Sequence, residues 1–344
     1  MHPGPFRRLT PRTVAVRSCR SAGANGAAQR DLAPMIVDCY THTWESAAQL
    51  GRCTPPNGRH QPTADRQVGS HPAGPSRHLA AAEPVDRTIV LGFKSRYLAA
   101  EIPNDQVAAY VNTHRQRMIG FAGIDPSNPQ EAMAELHRAR EQLSMPGVAV
   151  APAAQDFHPS DTHAMRVYAE AARCGMPILF HTGVHVSPAT KLQYAQPVLL
   201  DEIARELPDL RLVVAHMGYP WVHETIALLS KHAHVYAEIS GLLNQPWQGY
   251  QALLSAYQCG VMDKLLFGSG FPSTPASFCI EALYSINHLC HGTNLPTIPR
   301  EQLRGIVERD ALTLLGIADQ NRDSYGAVIP DHRPTEPEDD REEI

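Results

Sequence analysis

The sequence lacks the features that would direct it to a membrane, to nucleic acid or to a disulfide framework. No apolar run reaches the roughly 18 residues needed to span a bilayer. Basic residues are not in excess, since 30 Lys and Arg stand against 35 Asp and Glu. The seven cysteines are odd in number and form no Cys-x-x-Cys pair, which predicts reduced thiols in a cytoplasmic protein. A small molecule is therefore the expected partner, and a homo-oligomer stays open.

Both ends of the chain differ in composition from the centre. Residues 1–34 contain six arginines and no acidic residue before Asp31, which is typical of a transit peptide but also of a start codon placed upstream of Met35. Residues 318–344 end in PTEPEDDREEI, and this charge and proline content predicts disorder. We therefore expect one folded domain over residues 35–317, with a disordered extension on either side.

Within that domain, short apolar runs alternate with helical patterns, as in a parallel sheet with crossover helices. Runs such as LVVA and VAVA suit strands that are covered on both faces. Eight strands are predicted, at Ile36–Tyr40, Thr88–Phe93, Met118–Gly123, Gly147–Ala151, Pro177–His181, Arg211–His216, His234–Ile239 and Lys264–Gly268. This α/β pattern predicts a (β/α)₈ TIM barrel in a single domain.

The predicted helices follow these strands at regular intervals. They are Gln130–Leu143, Asp161–Cys174, Gln196–Leu207, Val222–His232, Tyr250–Cys259, Ala276–Cys290 and a last helix at Arg300–Leu315. Residues 51–76 interrupt the pattern with many Pro, Gly, His and Arg, and we interpret them as a mobile insertion at the barrel mouth. His60, His71 and His78 are irregularly spaced here, which favours a solvated loop over a metal-binding one.

Three histidines stand at the ends of predicted strands. They are His42 in VDCYTHTW, His181 in PILFHTG and His216 in LVVAHMG. The carboxyl ends of the strands of such a barrel converge on the face that carries the chemistry. We therefore expect the three imidazoles to meet in one site. The last strand, in KLLFGSGFP, offers Gly270 and no carboxylate at its end.

Six segments, taken in order, resemble the amidohydrolase-related barrel proteins. These segments are VDCYTHTWE, IPNDQVAAYVNTHRQRMIGFAGIDP, PILFHTG, LVVAHMG, LLFGSGFP and IVERDALTLLGI. The family consists of metal-dependent hydrolases and includes aminocarboxymuconate semialdehyde decarboxylase. The resemblance covers roughly Met35 to Ile317 and implies the barrel fold.

The resemblance also implies a divalent ion, most often zinc, at the barrel mouth. Its ligands in the family are the two histidines of an HxH pair on the first strand, a histidine on the fifth strand and an aspartate on the eighth, and a sixth-strand histidine assists. By this correspondence His42 and His181 are metal ligands and His216 is catalytic. Tyr40 stands in place of the first histidine and Gly270 in place of the aspartate. A phenol is a poor zinc ligand and glycine has no side chain, so weak zinc binding or none is expected.

Three interpretations of the remaining histidines stay open. They could form a relic pocket, hydrogen-bonded to one another and to Tyr40. They could form a rearranged zinc site with three histidines and water, in which Glu238 at the end of the seventh strand is the base. They could also belong to a metal-free enzyme in which His181, His216 and Tyr40 perform acid–base chemistry.

Three further residues are candidates for substrate contact. Lys94 and Arg96 follow the second strand and could meet a substrate carboxylate, although solvated charges would look the same. Trp44 lies two residues after His42 and belongs either to the pocket wall or to the core.

The predicted function is that of an amidohydrolase-related enzyme on a small, carboxylated substrate. Hydrolysis is the first choice and decarboxylation the second, because the family site supports both reactions. The alternative is a catalytically silent barrel that is retained as a ligand-binding or scaffolding protein. Barrel loops set specificity, so the substrate cannot be identified from the fold.

Overall fold

An eight-stranded parallel sheet forms the centre of the protein. The structure is a computed structural model that describes residues 35–53, 73–183 and 187–317. The strands of this sheet, in spatial order, are β1 (Val37–Thr41), β2 (Arg87–Leu91), β5 (Met118–Gly123), β6 (Gly147–Val150), β7 (Ile178–Phe180), β8 (Leu212–Val214), β9 (Val235–Glu238) and β10 (Leu265–Leu266). All eight predicted strands are confirmed, with ends that differ by two residues at most.

The first and last strands meet and make the sheet a barrel. The backbone N–H of Cys39 donates to the carbonyl of Phe267 at 2.9 Å, and that of His42 donates to the carbonyl of Phe271 at 3.0 Å. The buried carboxyl of Asp38 accepts the N–H of Ser269 at 2.9 Å across the same seam. Burial raises the pKa of Asp38 to about 7. The predicted (β/α)₈ barrel is therefore confirmed.

Most helices cover the outside of the barrel. The helices are α1 (Pro75–Ala81), α2 (Asn104–Thr113), α3 (Pro129–Glu141), α4 (Pro152–Gln155), α5 (Thr162–Arg173), α6 (Leu200–Glu206), α7 (Val222–Lys231), α8 (Pro246–Gln258), α9 (Ala276–Ser285), α10 (Arg300–Val307) and α11 (Ala311–Leu314). Unlike the others, α4 lies at the cavity and α11 packs on the inward-facing residues of the strands. No helix in these parts of the chain is long and apolar enough to cross a membrane. The inner faces of the strands pack on one another, and the outer faces pack on the helices.

The structure differs from the expected pattern at several places. The last helix is divided, because the Asp310 side chain accepts the N–H of Thr313 and starts α11 separately from α10. A short antiparallel hairpin of β3 (Phe93–Ser95) and β4 (Ala100–Ile102), followed by α2, was not predicted. The predicted insertion is also too long, since α1 already begins at Pro75. Residues 54–72 of the insertion, with His60 and His71, lie outside the described residues, as do residues 1–34 and 318–344.

His78 is not the solvated histidine that the sequence suggests. It lies in α1 and is fully buried, with Nδ1 at 2.8 Å from the Tyr110 hydroxyl and Nε2 at 2.9 Å from Thr41 Oγ1. The Thr41 hydroxyl in turn donates to the carbonyl of Ile89 at 2.7 Å. His78 therefore joins α1 to β1 and α2. Burial is the main cause that lowers its pKa from 6.5 to about 3, and the nearby His42 adds to the effect.

This burial predicts a specific loss of stability in acid. Below pH 6.5 the unfolded chain binds a proton at His78 that the folded chain does not bind. The contribution of His78 to the stability of the fold is therefore complete above pH 6.5 and decreases as the pH falls toward 3. The difference in free energy of unfolding between wild type and His78→Gln should shrink by about 2 kcal/mol between pH 7.5 and pH 5. Urea unfolding at both values measures it. The exposed His163, changed to Gln, is the control; parallel pH curves for His78→Gln and wild type would contradict the prediction.

Candidate active site

The strand-end residues meet in one cavity at the carboxyl end of the barrel. Tyr40 lies in β1 and His42 directly follows it, whereas His181 follows β7 and His216 follows β8. All four side chains line the cavity. Side chains two apart on an extended strand point the same way, which explains why Tyr40 and His42 lie together. The Tyr40 ring lies 4.6 Å from the His216 ring and 5.2 Å from the His42 ring, measured between centroids.

Most of the remaining cavity wall is apolar, and Ser187, Thr190 and Ser273 add hydroxyl groups to it. The volume of the cavity is about 950 Å³, including space that is open to solvent. The hydrophobic side chains in its wall are Trp44, Leu50, Cys53, Phe93, Leu98, Ile102, Ala151, Ala154, Phe271 and Pro272. Among the described residues that line it, no Asp, Glu, Lys or Arg occurs. The cavity thus has a mainly apolar wall and a polar floor, as is usual for small-molecule sites.

The Tyr40 hydroxyl is the centre of this floor. It forms a short hydrogen bond with Nδ1 of His181 and lies 3.3 Å from Nε2 of His42. Nδ1 of His42 lies 3.0 Å from the carbonyl of Leu91, which can only accept, so this nitrogen carries the proton and Nε2 is the acceptor. Burial lowers the pKa of His42 to about 4. Neutral His42 therefore accepts from the Tyr40 hydroxyl at neutral pH.

The arrangement does not fit the metal site that the resemblance implies. A zinc ion would lie about 2.0–2.1 Å from each imidazole nitrogen, but the Tyr40 oxygen occupies the space between His42 and His181. Gly270 has a φ of 77° and donates its N–H to the carbonyl of Tyr40, and it offers no ligand. Within the described residues, the one group of three ligating side chains whose ligand atoms lie within 4.8 Å of each other is on outer helices.

Glu238 lies behind the floor rather than in it. It ends β9, is fully buried and does not line the cavity. Its carboxyl oxygens accept the backbone N–H groups of His216 and Ser240, both at 2.6 Å. Gly268 makes room for it, since a Cβ at this glycine would lie 2.2 Å from Glu238 Oε2. The carboxyl group thus fixes the backbone at His216, where φ is 56°.

Of the three residues predicted to contact the substrate, one lines the cavity and two do not. Trp44 is buried and lines the cavity, so it belongs to both the wall and the core. Lys94 and Arg96 are not brought to the cavity. Lys94 pairs with Glu131 and, at 3.5 Å, with Glu101. Arg96 is exposed, and a role of either cation in substrate binding stays a prediction.

Sequence reasoning missed Ser240, which contacts His216. It follows Glu238 by two residues and is buried. Its hydroxyl oxygen lies 2.7 Å from His216 Nδ1. The signal available was the segment AEISG, in which a carboxylate and a hydroxyl leave the end of a strand two residues apart.

Comparisons with known proteins identify the family and the fold. A sequence profile of the family described as Amidohydrolase matches residues 37–317. The chain therefore belongs to the amidohydrolase family, which confirms the resemblance. A search of curated proteins found no match.

Several solved structures share the fold. An uncharacterised TIM-barrel protein from Bordetella bronchiseptica is 22% identical, with a TM-score of 0.62 over 83% of this chain and 99% of that one. A 2,6-dihydroxybenzoate decarboxylase in complex with 2,6-dihydroxybenzoate is 14% identical, with a TM-score of 0.61 over 82% and 99%. A 5-carboxyvanillate decarboxylase from Novosphingobium aromaticivorans, complexed with manganese and 4-hydroxy-3-methoxy-5-nitrobenzoic acid, is 12% identical, with a TM-score of 0.59 over 83% and 96%.

Proposed function

We propose that this chain is an enzyme that removes the carboxylate of a small, planar carboxylic acid as CO₂, using its own side chains and no metal ion. The observation that carries the proposal is the floor of Tyr40, His42, His181 and His216 beneath an apolar wall. The acid–base groups at the floor can donate or accept a proton, and the wall can pack against an aromatic ring of the substrate. The fold shared with two aromatic acid decarboxylases supports the same substrate class.

The composition of the cavity favours decarboxylation over hydrolysis. Hydrolysis requires an activated water molecule, and the groups that usually activate it are a carboxylate or a metal ion. The described lining offers no carboxylate, and its donor set does not fit a metal. A carboxylate placed against the wall loses part of its hydration, which raises the free energy of the bound acid relative to a transition state in which the negative charge moves from the carboxylate toward the ring.

The proposed reaction needs one proton and no redox partner. The bond between the ring carbon and the carboxylate breaks, CO₂ leaves, and the electron pair stays on the ring carbon. The Tyr40 hydroxyl delivers a proton to that carbon, and the new C–H bond completes the product. The tyrosinate is protonated again by Nδ1 of His181, which contacts it, and His181 recovers its proton from water. Trp44 and Phe271 hold the ring over this group.

The experiment is a turnover and metal assay on untagged protein dialysed against EDTA. Elemental analysis should find far less than one zinc or manganese per chain. Turnover is then measured on a panel of aromatic acids that includes 2,6-dihydroxybenzoate and 5-carboxyvanillate. Consumption of the acid is followed by absorbance, and the released CO₂ is measured in parallel. For at least one acid of the panel, turnover should persist after dialysis. One metal per chain, with activity lost on dialysis and restored by the ion, would contradict the metal-free proposal. Ligand binding without turnover on acids, esters or lactones would instead favour the silent binding protein.

A further inference from the structure

We propose that Ser240 and Glu238 hold His216 in the tautomer with a proton on Nδ1, so that Nε2 faces the cavity as a hydrogen-bond acceptor. Ser240 then acts as a positioning residue for the site. The role of His216 in catalysis rests on the proposed function, whereas the assignment of its tautomer rests only on the hydrogen bonds.

The direction of two hydrogen bonds determines the tautomer. Nδ1 of His216 lies 3.2 Å from the backbone carbonyl of Ser240, and a carbonyl can only accept. Nδ1 also lies 2.7 Å from the Ser240 hydroxyl oxygen, and this hydroxyl donates its one hydrogen to Glu238 Oε1 at 2.8 Å. The hydroxyl oxygen must therefore accept from His216. Both partners call for an N–H at Nδ1, and a neutral imidazole then has its lone pair on Nε2.

Burial and backbone geometry keep this arrangement in place. Glu238 is inaccessible to solvent, and its two oxygens also receive the N–H groups of His216 and Ser240. A rotation of the carboxyl group would leave buried donors without a partner, which is unfavourable. Glu238 Oε1 lies 3.5 Å from His216 Nδ1, so a proton on this nitrogen rather than on Nε2 lies close to the carboxyl group. The same support of a histidine by a buried acid is used in hydrolytic triads.

The consequence for ligands is a preference for hydrogen-bond donors. The hydrogen bonds of His216 within the described residues use its backbone N–H and Nδ1, and its ring lines the cavity. Nε2 is therefore available to a hydroxyl or N–H group that enters the cavity. A methyl ether in place of that hydroxyl cannot donate and would leave the acceptor unsatisfied.

Two measurements test the inference without turnover. The first is ¹⁵N NMR of labelled full-length protein at pH 7.5, in which His216, assigned through His216→Asn, should show protonated Nδ1 and unprotonated Nε2. The second is binding of 4-methylphenol and its methyl ether, for which the phenol should bind at least about tenfold more tightly. A protonated Nε2 in the wild type, or equal binding of phenol and ether, would overturn the inference.

Variants separate the hydroxyl of Ser240 from its surroundings. Ser240→Ala removes the nearer acceptor at Nδ1 but keeps the backbone carbonyl, so it should raise the fraction of the tautomer with a proton on Nε2 and reduce the preference for the phenol severalfold, and Ser240→Thr should restore both. Ser230→Ala, which removes a hydroxyl that bonds to Ile226 in α7, is the matched control. If Ser240→Ala changed neither readout, the positioning role of its hydroxyl would be wrong. Because no catalysis is measured, these results are distinct from a failure of the proposed decarboxylation.

Discussion

The double variant Tyr40→His, Gly270→Asp is expected to bind zinc on the order of 10³-fold more tightly than the wild-type chain. It adds an imidazole beside His42 and a carboxylate near it, so that with His181 four ligands of the kinds zinc prefers are present. It also removes the phenol oxygen that lies between the two existing imidazoles. Competition with a chromophoric chelator measures the affinity.

The backbone conformation at Gly270 limits the stability and the zinc affinity of this double variant. The φ of 77° at this position is unfavourable for most side chains, although Asp and Asn tolerate it better than others. A Cβ there would lie 3.2 Å from the Cβ of Ser240, so some stability should be lost. Tyr40→His with Gly270→Asn is the matched control, since it has the same backbone demand without the charge, and it should bind zinc much less tightly. A double variant that binds zinc no better than wild type would show that the strand correspondence is wrong.

Tyr40→Phe should lower kcat for the decarboxylated substrate by about 10²–10⁴-fold with little change in KM. The substitution keeps the ring and its packing but removes the hydroxyl that meets His181 and His42. A group that acts on the proton in the transition state affects kcat, whereas a wall residue would affect KM. Steady-state kinetics on the best acid of the panel gives both constants.

The control for that variant is Tyr257→Phe, which removes an exposed hydroxyl in α8. It should leave both constants unchanged. Tyr40→Phe with an undiminished kcat would exclude the phenol as proton donor. Zinc content should be measured in parallel, because removal of the phenol oxygen opens space between His42 and His181.

The barrel is predictable from the sequence because its strands are covered on both faces. Runs such as LVVA at β8 have no polar residue to interrupt them, and each is followed by a helical period. The strand-end histidines were predictable for the same reason, since the carboxyl ends of parallel strands share one face. The hairpin of β3 and β4 was not, because strands of three residues have too short a pattern to recognise.

Side-chain partners account for the remaining differences. His78 is buried because Tyr110 and Thr41 satisfy both ring nitrogens, and neither partner is close to it in sequence. Lys94 in β3 pairs with Glu131 in α3, which is 37 residues further along the chain. The position of the Tyr40 hydroxyl depends on the approach of β1 to β7 across the barrel. Such contacts between distant segments leave no local signal in the chain.

The tight contact between Gly268 and Glu238 also limits which residues homologues can have at these two positions. Any side chain at position 268 would collide with the carboxylate at position 238, so neither site can change freely while the other stays as it is. Homologues that share this buried acid should retain glycine opposite it, and those that gain a side chain there should have a shorter residue on β9. The two positions are expected to covary, and an alignment with such a pair would mark the relatives that keep the same support for the sixth-strand histidine.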